Sequence, residues 1–385
     1  MQKDFHYFAA FCAALLAGWS REESLEIATA DQMADLCSRT FLEKVNGPES
    51  AVTTQLQLEL MQARTDLIGL QDITRIWASF HFLPGDLTAD PHRKTSKRYR
   101  QKYRMICQPN GPLVKDTVEL AKGKGTAAAG LAMHVLCDTW AHRNFAGTPS
   151  VVINNTNYYF YEILDDGERP VTFRHSPGTP DDLENGVYIN SVYQDNEDSI
   201  MNLGHGRAGH LPDYSFIRYR YLPAWGDFIE IVKDNPAEYW QAFCQMVCAL
   251  QYLRGTRETF ETDVYAYDTV EPLKDEIRAI LEKRQPDACA DWQGLGEKLS
   301  GCEMPDLDLE RLENEYVSAA PEEKDGTLLG AFFLAALAQK SMVTNKIFRT
   351  GNLLAGWSVD FRKEGFRGIG DFRKLVEARK KEEES

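Results

Sequence analysis

Residues 125–142 read GTAAAGLAMHVLCDTWAH. The first nine are small or apolar and read as a buried helix beginning near Thr126. The last nine place a histidine, an aspartate and a second histidine at intervals of four, among residues that are otherwise apolar or small apart from one threonine. Residues four apart on a helix rise about 6 Å and share a face, so His134, Asp138 and His142 line one side over about 12 Å. An unpaired carboxylate there would cost several kcal/mol, so Asp138 needs partners. One reading is an internal His-Asp-His hydrogen-bond cluster with Arg143 as a further member. The other is a metal site. His134 and His142 lie too far apart to share one ion, but a carboxylate between them can bridge two ions about 3.5–4 Å apart.

The rest of the chain predicts a mainly α fold, a multi-helix bundle-like core with a small β-hairpin and long-loop insertion. Residues 4–18 make one apolar helix, and Ser20 with Glu23 is a capping-box pattern that opens a second. A third is expected from about Thr53 to Ser79, ending near the proline of HFLPGD. From Thr148 to about Ser199, VVINNTNYYFYEIL, DDGERPVTF and a Pro/Gly/Asp-rich stretch predict a hairpin and a long loop. Helices are expected to resume after Pro212, with strong periodicity over 237–253 and 326–342. The expected organisation is a helical metal-site domain over 1–265 with the insertion at about 148–199, a C-terminal helical extension over 266–350 packed on it, and a helix with a charged tail over 351–385.

At 385 residues, 43% hydrophobic and 26% charged, the chain can bury a sizeable core. A net charge of -15 argues against a general nucleic-acid coat, because such affinity comes from accumulated Lys and Arg. The eight cysteines contain no CxxC, and Cys244 and Cys248 sit at helical spacing, as core residues do. A reducing, cytoplasmic setting is expected. The apolar run YFAAFCAALLAGW is too short to span a bilayer, and MQKDFH before it is a poor lead-in for an export signal.

Other histidines gather in similar contexts. GHGRAGHLPD at 204–213 carries His205 and His210 among three glycines; its match to GxGxxG is misleading, since no strand precedes it and a proline follows. DFHY places His6 on the first helix, IATADQMAD offers Asp31 and Asp35, and WASFHFLPGD places His81 at a helix end. Six of the eight histidines fall in such segments, leaving His92 and His175 as surface residues. Together they favour a divalent metal, with zinc first among ions that suit histidine and carboxylate.

DFHYFAAFCAALLAGWSREE, HVLCDTWAHRNFAG and GHGRAGHLPD resemble an uncharacterised bacterial family, domain of unknown function 6765, over about the first 220 residues. More distantly, the order is similar to the all-α zinc-dependent phospholipases C and single-strand-specific zinc nucleases. That resemblance implies ligands at His6, Asp35, His81, His134, Asp138, His142, His205 and His210. The last pair departs from the pattern, which has a histidine and a glutamate four apart, and His142 comes two residues early. Those enzymes also use the α-amino group of a processed N-terminal tryptophan, a role open here only to Met1. Two ions are therefore expected in preference to three.

Two ions sharing Asp138 imply hydrolysis of a phosphoester, with Asp35 as ligand and proton acceptor. The alternative is a non-catalytic protein with a structural or sensory metal. HRKTSKRYRQKYR at 92–104, with seven basic residues, offers a contact for a phosphate-bearing substrate or single strands; a solvated basic segment is its plainer reading. HExxH and the His-Asp dipeptide are absent, and GKGT at 123–126 lacks the spacing of a phosphate-binding loop.

Overall fold

The computed structural model describes residues 1–356 except 65, 88–104, 150, 157–158, 177, 191–200 and 224–229. The basic segment at 92–104 and the tail beyond 356 lie outside the described residues. The fold is mainly α with a small β insertion. In chain order the principal helices are α1 (Ala10–Leu16), α2 (Arg21–Leu36), α3 (Arg39–Val45), α4 (Leu67–Ile76), α5 (Pro112–Ala121), α6 (Gly125–Ala141), α7 (Asn235–Arg254), α8 (Lys274–Glu282), α9 (Cys289–Ser300), α10 (Leu309–Ser318) and α11 (Leu328–Arg349). Among the described residues no helix is long and apolar enough to cross a membrane.

The stretch that opened the sequence reading is the central element. α6 is buried at every position from Ala127 to Ala141 and packs against α2, α5, α7 and α11. Its contact with α2 is close because Gly130 has no side chain. A Cβ there would sit 2.2 Å from the Ile27 carbonyl oxygen and 2.9 Å from the Asp31 amide nitrogen. This approach brings Asp31 and Asp35 of α2 against His134 and Asp138 of α6. Gly130→Ala is therefore expected to push the helices apart and cost about 1–3 kcal/mol in stability, the usual penalty of overpacking. A melting temperature equal to wild type would contradict this account of the contact.

Local signals set several helix ends, the expected capping box among them. Ser20 Oγ accepts from the Glu23 amide and Glu23 accepts from the Ser20 amide, completing the capping box of α2. Asp234 caps α7, Pro236 sits in its first turn, and Gly255 closes it at φ +93°. Two helices differ from the even runs predicted. Asp4–Ala9 is a π-helical turn ahead of α1. The expected helix over 53–79 divides into a short turn at Gln57–Met61, α4 capped by Asp66, and a second π-helical turn at Trp77–His81. Each π turn carries a histidine of the candidate site, His6 and His81, in keeping with the frequent placement of such turns at functional sites.

The insertion contains the expected hairpin, β1 (Tyr161–Leu164) and β2 (Gly167–Pro170), turning through Asp165 and Asp166 with Gly167 at φ +150°. Parallel β3 (Thr172–Arg174) and β4 (Val187–Ile189) form a second small sheet. Helices do resume after Pro212, but only at α7, because two further strands come first. β5 (Arg218–Tyr221) and β6 (Ile231–Asp234) extend the hairpin into a four-stranded sheet of order β2-β1-β5-β6. RYRY does alternate, with Tyr219 and Tyr221 buried and Arg220 paired outward with Glu168 and Glu230, but its partner strand lies nearly sixty residues upstream, Tyr161 facing Arg220. Aromatic residues beneath the sheet, Phe145, Phe160 and Tyr221, stack at 5.3 and 5.5 Å and join it to the end of α6. Lys233 of β6 is fully buried; its ammonium donates to the carbonyls of Trp140 (2.8 Å) and Ala141 (3.1 Å), closing the C-terminus of α6, and pairs with Glu238.

The principal core runs from Met1 to Ala355 and includes side chains of α8, α9 and α11. All eight cysteines are unbridged, and six are buried.

Candidate metal centre

Seven of the eight predicted ligands converge at the inner face of α6. Asp138 is 1% exposed, and its two oxygens look in different directions. Oδ2 lies 3.1 Å from His81 Nδ1 and 3.3 Å from His134 Nε2, and those two nitrogens are 3.3 Å apart. Asp35 Oδ1 is 3.8 Å from each. Ligands of one tetrahedral ion with bonds of about 2.0–2.1 Å stand about 3.3 Å apart. His81, His134 and Asp138 Oδ2 are spaced accordingly, and Asp35 stands somewhat farther off.

Asp138 Oδ1 faces a second set. The Met1 α-amino nitrogen is 2.8 Å away and His6 Nε2 3.2 Å. A third set forms around Asp213 Oδ1, 3.3 Å from both His142 Nε2 and His205 Nε2, and 3.4 Å from the Met1 nitrogen. The His142 and His205 rings meet edge to face at 4.6 Å.

The bridge predicted between His134 and His142 is corrected by this geometry. His142 caps α6 outside the helical region, at φ -91°, ψ 13°. Its Nδ1–H donates to the His81 carbonyl at 2.7 Å, which turns Nε2 away from Asp138 and toward Asp213. Asp138 instead joins the His81–His134 set to Met1 and His6. Arg143, offered as a partner of a metal-free cluster, faces Glu238 at 3.5 Å.

His210 is the predicted ligand that does not converge. Its side chain is 51% exposed and only its Nδ1 approaches the carboxylate, 3.4 Å from Asp213 Oδ2. Asp213, in the same GHGRAGHLPD segment, holds the position the sequence reading gave to His210. The local clue was an acid three residues after a histidine. The α-amino group of Met1 has no side-chain letter to mark it, and only the resemblance to the zinc enzymes pointed to it.

The partners of the histidines decide which nitrogen is available. A carbonyl or carboxylate oxygen can only accept, and a neutral imidazole has one proton to give, so the ring nitrogen with the shorter contact to such an oxygen carries it and the other nitrogen keeps its lone pair. His81 Nε2–H donates to Thr53 O at 3.0 Å, and His6 Nδ1–H to Asp31 Oδ1 at 2.6 Å. With His142 on the His81 carbonyl, three histidines donate outward and turn a lone pair inward. This is how metal-bound histidines are oriented. The groups His6–Asp31–His134, Asp35–His81–His134 and His142–His205–Asp213 could each hold a metal ion on spacing alone. In the first of these the 2.6 Å contact is too short for two ligands of one ion and is a hydrogen bond.

The charges are mutually dependent. Burial alone would raise the Asp138 carboxyl, but the His142 imidazole, the Met1 ammonium and the His134 imidazole outweigh it and hold it well below the usual carboxylate range. Burial opposes the charge of the Met1 ammonium, yet Asp138, Asp213 and Asp35 raise its pKa to about 11. His134, likewise opposed by burial and favoured by Asp138 and Asp35, is raised to about 10, whereas burial lowers His142 to about 4.

These values predict a proton balance. In the metal-free fold, the His134 imidazolium stabilises the chain below its unfolded pKa of 6.5 and loses that contribution as pH climbs through about 10. Metal binding runs the opposite way, since Met1 and His134 must give up protons to become donors. Zinc added to the metal-free chain at pH 7 is expected to release protons, seen as a binding enthalpy that depends on the buffer, and affinity should rise with pH. Tight binding without proton release would contradict these donors.

The centre opens on one side into a cleft of about 450 Å³, lined by Met1, Asp35, His81, His142, His205 and Asp213 and by the apolar side chains of Leu60, Trp77, Phe82, Met201 and Leu203. Asp35, 29% exposed, is the acid of the first set that reaches this space.

Residues 1–347 match the family of unknown function DUF6765. The chain belongs to that family. The match covers the whole candidate centre and all the principal helices but the last few residues of α11, well beyond the first 220 residues that carried the resemblance in sequence. No curated protein and no solved structure matches the chain.

Proposed function

We propose that this DUF6765 chain is a metal-dependent hydrolase of phosphoesters, phosphodiesterase-like, with zinc as its ion. Asp138 with Asp35, His81 and His134 would hold one ion, Asp138 with His6 and the Met1 amine a second, and His142, His205 and Asp213 would offer a third position. The observation that carries this reading is the division of labour within the imidazoles: outer nitrogens held by acceptors, inner nitrogens facing carboxylates at ligand spacing.

The donor chemistry fits divalent ions. Asp31, Asp35, Asp138 and Asp213 place four carboxylates in or against one largely buried cluster; protons on Met1 and His134 offset part of that charge, and divalent ions would take their place. Ions held there supply Lewis acidity and positive charge matched to phosphoryl oxygens. The protein's own groups do the rest. Asp35, at the cleft wall, is placed to accept the proton of the attacking water, and the apolar wall at Trp77 and Phe82 limits bulk water beside it. A structural or sensory metal would need its positions closed by protein; the cleft alongside Asp35, His81 and His205 supports the catalytic reading.

Bis-p-nitrophenyl phosphate tests it. Zinc-loaded protein should hydrolyse the diester, chelator-treated protein should not, and added zinc should restore the activity. Single-stranded DNA and phosphatidylcholine, offered in parallel, separate nuclease from phospholipase chemistry. Loaded protein inert toward all three would sink the hydrolase reading and leave the structural or sensory one.

A further inference from the structure

We propose that Asp31 is a positioning residue shared by two adjoining ion pockets, one carboxylate fixing both His6 and His134 from behind. The inference rests on the metal reading above and adds a residue that holds no ion itself.

Asp31 is fully buried on α2, one helical turn before Asp35. Its Oδ1 accepts from His6 Nδ1 at 2.6 Å, and the same oxygen stands 3.3 Å from His134 Nδ1. The two rings stack face to face, with centroids 4.0 Å apart and planes 26° from parallel. Their opposite nitrogens go to different oxygens of Asp138, His6 Nε2 to Oδ1 and His134 Nε2 to Oδ2. Asp31 thus fixes the His6 ring by a hydrogen bond and, through the same atom, sets a negative charge 3.3 Å behind His134 Nδ1, so that one carboxylate acts on a ligand in each pocket.

The second oxygen strengthens the case. Among the described residues, Asp31 Oδ2 is buried without a hydrogen-bond partner, and so is His134 Nδ1. A buried carboxylate so sparsely solvated is costly unless positive charge lies near. The two imidazoles are its nearest such partners, and ions on their far side complete the balance. His81 and His142 are oriented differently, by the carbonyls of Thr53 and His81. Those acceptors fix direction without adding a full negative charge. A carboxylate behind an imidazole raises its basicity as a ligand as well as fixing its tautomer. The helix pair makes this possible: Gly130 lets the Asp31 backbone approach α6, so that α2 supplies Asp31 behind the histidines and Asp35 in front of them.

The test is a zinc titration of the full chain against a competing chelator, with cobalt absorption spectra as a second readout. Asp31→Asn keeps the size but removes the charge. It should loosen two ions by about 10- to 100-fold, the usual effect of losing such a partner. The ion held by His142, His205 and Asp213 should keep its affinity and its cobalt spectrum. Asp31→Glu, which restores the charge, should bind closer to wild type than Asn does. Affinities unchanged in Asp31→Asn would overturn the proposal, as would equal loosening of every ion, the mark of a general packing defect. If the Asn variant does not fold, Asp31→Glu decides: selective weakening of two ions supports the role and uniform weakening overturns it. A wild-type chain that takes up no zinc would instead refute the metal reading itself.

Discussion

Asp138→Asn is expected to remove both ions that adjoin Asp138 and to take hydrolysis below detection. One oxygen faces His81 and His134 and the other faces Met1 and His6, so a single substitution strips a charged donor from two pockets. Asparagine keeps the size and one carbonyl oxygen, but its amide nitrogen cannot serve as a donor to a cation. Affinity should fall by about 100-fold or more at both positions, beyond the about 10- to 100-fold that loss of an outer partner costs. The third position, built on Asp213, should survive. A metal-free cluster predicts something else: a cost of about 1–3 kcal/mol for an altered buried hydrogen bond, read as a lower melting temperature with metal content near zero in both proteins. Stoichiometry by elemental analysis, wild type beside variant, separates the two.

Replacing Asp213 should matter far more than replacing His210. Asp213 Oδ1 is the common neighbour of His142, His205 and the Met1 nitrogen. Burial would raise its carboxyl, but His205 and the Met1 ammonium, with the His142 ring beside them, hold it well below the usual range. Asp213→Ala should abolish the third ion position and leave the amine one partner poorer. His210→Ala, at a half-exposed side chain, should leave the ion count unchanged and shift stability by no more than about 0.5 kcal/mol. Equal loss of metal in the two variants would restore His210 to the ligand set.

The helical frame was legible because its signals are local. Small and apolar residues at 125–133, the Ser20–Glu23 box and the periodicity over 237–253 each act within a few turns. β5 was missed for the opposite reason: RYRY is short and polar, and only pairing with β1 and burial of its tyrosines make it a strand. For the site, the spacing of His134 and Asp138 on one helix face survived folding. The role given to His142 did not, because one residue beyond the helix its ring answers to the His81 carbonyl and not to helical periodicity. The two layers of α2 were half legible. Asp31 and Asp35 were both visible as acids, but only the close passage at Gly130 shows that one lies behind the histidines and the other at the cleft.

The most direct measurement is the metal content of the protein, purified without chelator and again after zinc reconstitution and removal of free ion. The account predicts two to three zinc ions bound per chain after reconstitution, released by chelator or acid and recovered on return to neutral pH. A chain that stays folded, holds no divalent ion at micromolar zinc and melts at the same temperature with or without it would contradict the central claim.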